Sequence, residues 1–255
     1  MTTTPAHAGA APRWRRVLAQ TDFEARAILR NGEQLLVTII VPVMVLIGLT
    51  QVDVLDIDTD GMSAIDFFTP GVLALAVMTS SFTSQAIASA FDRRNGVLRL
   101  LSTTPLGRGG LLAGKIAGVL VVGAVQVLVI GVTAVILGWR PDAVGVVLAV
   151  VAMVLGAAAF TSLALLVAGT LRAEAVLAVA NLALLLLALA GGVLVPASRL
   201  PGPMEHVALL LPSGALGEAM RQAFQHGSLP AWSVVVLVGW TAALGWGASR
   251  LFRWH

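Results

Sequence analysis

The chain has 255 residues, of which 58% are hydrophobic and 11% charged, with a formal net charge of +3 and no cysteine. Soluble domains carry about 25% charged residues, so this composition excludes a water-soluble globular domain, and the missing thiols exclude disulfides and thiolate metal sites. The positive balance does not read as nucleic-acid binding, because the basic residues fall in connectors between apolar runs, where lipid headgroups and topology account for them.

Residues 1–12 are small and polar and lack the apolar run of a signal peptide, so they read as a disordered tail. Over residues 13–33, Trp14, Val17, Leu18, Thr21, Ala25, Ile28 and Leu29 recur at helical spacing, with Arg15, Arg16, Asp22, Arg26 and Arg30 elsewhere. This pattern predicts an amphipathic helix lying in the membrane interface; a helix packing on a protein partner gives the same pattern. Phe23 falls on the polar side and interrupts it.

A charge at the centre of a spanning helix is costly, so the nearest charges delimit six apolar runs, with spans expected at about 34–52, 67–90, 116–138, 144–171, 175–196 and 228–249. Each run leaves about 19 or more uncharged residues, enough to cross the hydrocarbon core. Residues 34–255 are therefore expected to form an all-α, six-helix transmembrane domain. A seventh apolar piece, Val207 to Gly217, is too short to span and is broken by Pro212. Residues 197–227 read as a re-entrant helical hairpin on the outer side, before the last span.

With both termini cytoplasmic, thirteen basic residues lie inside (Arg13, Arg15, Arg16, Arg26, Arg30, Arg93, Arg94, Arg99, Arg108, Lys115, Arg172, Arg250, Arg253) and three outside (Arg140, Arg199, Arg221). The positive-inside rule selects that orientation. A multi-pass protein of the cell membrane in contact with lipid is expected.

Several local signals imitate chemical sites without completing them. Gly109 to Ile116, GGLLAGKI, copies part of a phosphate-binding loop but places Ile116 where Ser or Thr must hold magnesium. It enters a membrane helix rather than following a strand, so Gly110, Gly114 and Gly118 read instead as a close helix contact. Asp56, Asp58, Asp60 and Gly61 imitate half of a calcium loop, but Phe67 stands where a bidentate Glu is needed; a solvated acidic outer loop is expected. His7, His206, His226 and His255 are scattered, with no metal-ligand spacing. Ser81, Gln85 and Ser89 share one helical face of the second span, and Asn181 lies in the fifth. Such groups either hydrogen-bond helix to helix or line a substrate path. Gln126, Thr161 and Ser162 carry the same two readings. No catalytic constellation stands out.

The connector over residues 91–115 gathers five of the sixteen basic residues. It runs from Asp92 through Arg93 and Arg94, a Gly96 break, an apolar stripe (Val97, Leu98, Leu101), a Thr104-Pro105 stop and Arg108 to Lys115. That order resembles the first intracellular loop of type-2 ABC transporter permeases. A second stretch, Ala190 to Arg221, resembles the segment before the last span of those proteins. It carries Gly191 and Gly192, Pro196, Leu200-Pro201, Leu211-Pro212, then Glu218 and Arg221. It departs from them in having Ser213-Gly214 after the Pro212 turn. The whole looks most like the daunorubicin-resistance-type drug-exporter branch.

The resemblance implies a permease subunit with no catalytic, cofactor or metal site of its own. Two copies of a separate ATPase would hold ATP and magnesium, and a second permease, as a homodimer, would complete the transporter. It implies that Asp92, Arg93, Arg94, Leu98, Leu101, Pro105 and Arg108 couple to the ATPase, and that a hydrophobic small molecule, drug, natural product or lipid is exported. Two other classes fit the topology: a non-transporting membrane scaffold or immunity-type protein, and a secondary transporter, though the latter would carry a mid-membrane charge or broken inverted repeats.

Overall fold

A computed structural model describes residues 11–51, 59 and 61–251. The residues called a disordered tail, apart from Ala11 and Pro12, and most of the acidic loop, including Asp56, Asp58 and Asp60, lie outside the described residues. The described chain is helical, with no strand among the described residues.

Helix α1 (Arg13–Leu29) precedes α2 (Gly32–Leu35), which runs through a π turn (Leu36–Ile40) into α3 (Val41–Gln51). Helices α4 (Ala64–Met78) and α5 (Gln85–Arg94) are joined by a second π turn (Thr79–Ser84), and a short α6 (Val97–Ser102) leads into the long α7 (Gly107–Ile136). Then follow α8 (Ala143–Thr170), α9 (Ala173–Ala190), a 3-10 turn (Ala197–Arg199), α10 (Met204–Leu210), α11 (Pro212–His226) and α12 (Ala231–Leu251). Five helical runs are long and apolar enough to cross a membrane, and Thr38–Gln51 is a shorter apolar helix. Together these make an all-α membrane domain, the shorter helix standing where the first of the six spans was expected.

Helix boundaries do not follow the charges. The connector expected over 91–115 is mostly helix: α5 continues to Arg94, and Lys115 lies well inside α7. A charge ends the apolar run without ending the backbone hydrogen-bond ladder, provided the charge finds a partner. The fifth span stops at Ala190 rather than near 196, because Gly191 and Gly192 begin an irregular stretch in which Gly192 takes φ +63°.

Helix α8 is the hub, packed by α12, α11 and α5. Its small residues permit the approach: a Cβ on Gly156 would meet Leu216 at 2.7 Å, and one on Gly145 the Ala223 carbonyl at 2.9 Å. The α4–α5 run is almost entirely enclosed, with Met78 and Phe82 in a core that includes Phe160, Leu216, Met220 and Leu237. Helices α7, α9 and α12 leave large apolar side chains exposed, such as Leu128, Leu185 and Val235, as spans facing lipid do.

Both π turns have local chemical causes. In TSSFTS, the hydroxyls of Thr79, Ser80 and Ser81 donate to the carbonyls of Leu75, Ala76 and Val77 and compete with the backbone ladder. In the first turn the Thr38 carbonyl accepts from Gln126 Nε2 of α7 at 2.6 Å, so a side chain from a neighbouring span takes a freed acceptor.

Candidate functional site

The candidate site lies at the end of the bundle that carries α6. Helix α5 ends at Arg94 with Asn95 as its C-cap, and Gly96 turns the chain with φ +76°, a conformation that favours glycine. The last turn of α6 is closed by Thr103 Oγ1 donating to the Leu100 carbonyl at 2.7 Å and Thr104 Oγ1 to that of Leu101 at 2.6 Å. Pro105 and Gly107, at φ +67°, then redirect the chain into α7.

This hairpin is fastened by charge. Lys115 is 1% exposed, and its Nζ lies 2.8 Å from Glu24 Oε1 of α1 and 3.2 Å from Asp92 Oδ2 of α5. Gln20 Nε2 donates to the same Glu24 oxygen at 2.8 Å. One ammonium thus joins three helices, with Gln20 satisfying part of the buried carboxylate. Around it the backbones meet closely: a Cβ on Gly114 would fall 2.4 Å from Gln20 Cγ, and one on Gly118 2.7 Å from Glu24 Cβ. Gly110 faces Leu106 of its own turn.

The arginines beside Asp92 also have partners within the chain. Arg93 donates to the Leu171 carbonyl, and Arg94 lies 2.7 Å from Glu174. Both anchor the α8–α9 turn to the hairpin. Sequence reasoning assigned Asp92, Arg93 and Arg94 to contact with another protein; in the structure they also hold this end of the bundle together.

Beside the cluster, α1 and α6 enclose a cavity of about 440 Å³. It is lined by Phe23 and Arg16 of α1 and by Val97, Leu101, Pro105 and Leu106 of the hairpin. Leu101 and Pro105 are therefore brought together here, whereas the side chains of Leu98 and Arg108 lie outside the described residues. Leu100, which the expected stripe omitted, also lines the cavity and is 69% exposed. Phe23, which interrupted the amphipathic pattern of α1, forms part of the cavity wall. The face of α1 set against α7 carries Gln20, Glu24, Ala25 and Ile28, while Trp14 and Leu18 stay exposed.

The polar stripe in the second span is buried against α8 and α9. Ser81 donates to the Val77 carbonyl one turn back, but Gln85 and Ser89 have no hydrogen-bond partner among the described residues, nor does Thr161 Oγ1 on α8. Ser162 donates to the Ala158 carbonyl at 2.8 Å. Asn181 is exposed on α9 and does not join the stripe.

At the opposite end, Arg221 is 3% exposed rather than part of a loop, and donates to the carbonyls of Val193 at 3.0 Å and Gly192 at 2.9 Å. Glu218 accepts from its Nε at 3.4 Å. The small pair after Pro212 is required by the packing, since a Cβ on Gly214 would fall 2.0 Å from the Ala208 carbonyl. Among the described residues no group of three or more His, Asp or Glu could hold a metal ion.

Glu24 and Leu100 escaped the reading of the sequence, and Lys115 entered it as the end of the connector and the lysine of a discounted phosphate-binding loop, not as a buried ion-pair partner. A signal existed for the first and last, since both sit beside small or apolar neighbours at helix-contact spacing, but their pairing is purely tertiary. Residues 15–224 match the model of a family described as ABC-2 type transporter. No curated protein matches the chain.

Proposed function

Because the chain belongs to the ABC-2 type transporter family, we propose that it forms half of the membrane path of an exporter driven by a separate ATPase. The family makes it a multi-pass permease component of an ABC transporter, associated with an ABC ATPase. Beyond that, the reading is of two ATPases carrying ATP and magnesium, a second permease copy, and outward movement of a hydrophobic drug, natural product or lipid across the cell membrane. Both termini face the cytoplasm on this reading, and the order of motifs favours the daunorubicin-resistance-type branch.

The observation that carries it is the α6 hairpin, an apolar-sided helix beside an open cavity whose base is locked to three other helices. Closure of an ATPase dimer would press on α6. Asp92 and Lys115 would pass the load to α7 and α1, and Arg93 and Arg94 to the α8–α9 turn. The ends of several spans would then move as a unit. Gentle purification from the native host tests the reading: an ABC ATPase should copurify, and hydrophobic compounds should stimulate its hydrolysis. An isolated permease without ATPase, or an ATPase insensitive to every hydrophobic compound, would favour the scaffold reading.

A further inference from the structure

At the end of the bundle remote from α6, the outer turns of α7 and α8 separate around a cavity of about 380 Å³, within the ~300–1,000 Å³ of ligand pockets. Its floor is made by buried residues, among them Trp139 and Met220, with Phe224 set edge-on to the Trp139 ring at a centroid distance of 4.8 Å. Its rim carries Leu128, Val132 and Val146, all exposed. The cavity therefore opens sideways from the helices toward lipid. Among the described residues no ionisable side chain lines it.

We propose that this groove holds one acyl chain of an anionic phospholipid, with the headgroup at Trp139 and Arg140. Depth supports the chain: from Leu128 to Ile136 the rim climbs ~12 Å along the helix axis, within the ~15 Å of one leaflet's hydrocarbon. Trp139 and Arg140 follow immediately, at the level where tryptophan and arginine meet headgroups. Chemistry supports the head. The Nε1–H of Trp139 has no acceptor among the described residues, and Arg140 is exposed with no hydrogen bond or ion pair among them. Asp142, the nearest carboxylate in sequence, is engaged by the Gly145 N–H at the start of α8. The groove thus has an unengaged donor in its wall, on Trp139, and an exposed cation on the next residue, Arg140, a pairing that an acidic headgroup with an acyl tail complements. The site lies apart from the α6 hairpin and does not depend on what the transporter moves.

The full chain, purified in detergent, is exposed to phosphatidylglycerol and phosphatidylcholine of identical chains, and retained lipid is counted by native mass spectrometry. Phosphatidylglycerol should be retained about fivefold over phosphatidylcholine, the effect of one cation near a headgroup. Arg140→Gln should bring the two lipids level, and Val132→Trp, which fills the groove from its exposed rim, should reduce retention of both. Melting curves of each variant without added lipid separate loss of binding from loss of fold. Equal retention of the two lipids by the unaltered chain overturns the proposal. So does a Val132→Trp variant that retains lipid normally but loses a dimer mass, since a second copy would then occupy the groove.

Discussion

Lys115 Nζ and Glu24 Oε1 lie 2.8 Å apart with both side chains almost fully enclosed, at 2% and 7% exposure. The pair fastens the N-terminal helix to the third span. Removing one member of a buried pair costs about 3–5 kcal/mol, because the other charge is left without compensation. Lys115→Met leaves Glu24 and Asp92 both unpaired and is expected to lower the melting temperature and expose α1 to limited proteolysis. Glu24→Gln leaves Lys115 its Asp92 contact and should be milder. Equal, small effects in both would show that the cluster carries no weight.

Glycine spacing makes a second prediction at the same interface. Gly114→Ala places a methyl against Gln20 Cβ and Cγ, atoms near the root of that side chain, so α1 itself must shift. Overpacking of this kind costs about 1–3 kcal/mol, outweighing the ~1 kcal/mol that alanine contributes to a helix. Gly131→Ala, on the same helix with nothing within 4 Å, should be neutral or stabilising. Thermal melting of the two variants side by side checks the contrast, and a stabilising Gly114→Ala would remove the close-contact reading.

The crossings and the helical class were legible because apolar runs of membrane length have few physical alternatives. The placement of charges inside the fold was not. Lys115 and Arg221 each read as the edge of a run, since an unpaired charge cannot stay in hydrocarbon, yet both are buried with partners distant in sequence. Phe23 looked like an error in an amphipathic pattern because its neighbour, α6, approaches only in three dimensions. Leu100 is similar: helical periodicity ranks α6 residues by their own helix, and only the arrangement against α1 shows that Leu100 edges the cavity while staying exposed.

Arg221 offers a test of the hairpin. Its guanidinium donates to two adjacent carbonyls, of Gly192 and Val193, which lie in a non-helical stretch and accept no backbone N–H among the described residues. Arg221→Lys keeps the charge but loses the planar fork that reaches both. It should therefore destabilise nearly as much as Arg221→Met, by roughly 2 kcal/mol or more. Full recovery of melting temperature by the lysine variant would mean that charge, not geometry, is what the hairpin needs.

Orientation is checked with single cysteines at two exposed positions. Ser228 follows α11, and Thr103 follows α6, at the opposite end of the bundle. With termini inside, an impermeant thiol reagent applied to whole cells should label Ser228→Cys and leave Thr103→Cys unlabelled. The reverse pattern would invert the topology and place the α6 hairpin where no ATPase could meet it.

Coupling is the sharpest test, because the hairpin now separates into residues that hold the fold and residues that are spare. Asp92, Arg93 and Arg94 are engaged within the chain, so losing them mixes assembly with docking. Leu100 is 69% exposed on the rim of the open cavity beside α1, which Leu101 lines more deeply. An apolar anchor at the centre of a protein interface is worth about 2 kcal/mol or more on truncation. Leu100→Asp is therefore expected to leave insertion, melting temperature and permease pairing unchanged while reducing ATPase copurification about thirtyfold, the equivalent of that loss. Leu101→Asp should reduce it too, with some loss of α1 packing. If the basic residues served topology alone, neither change would alter docking, since neither removes a positive charge. Measuring copurified ATPase and substrate-stimulated hydrolysis in both variants decides between these accounts, and normal values in both would dismiss α6 as the coupling element.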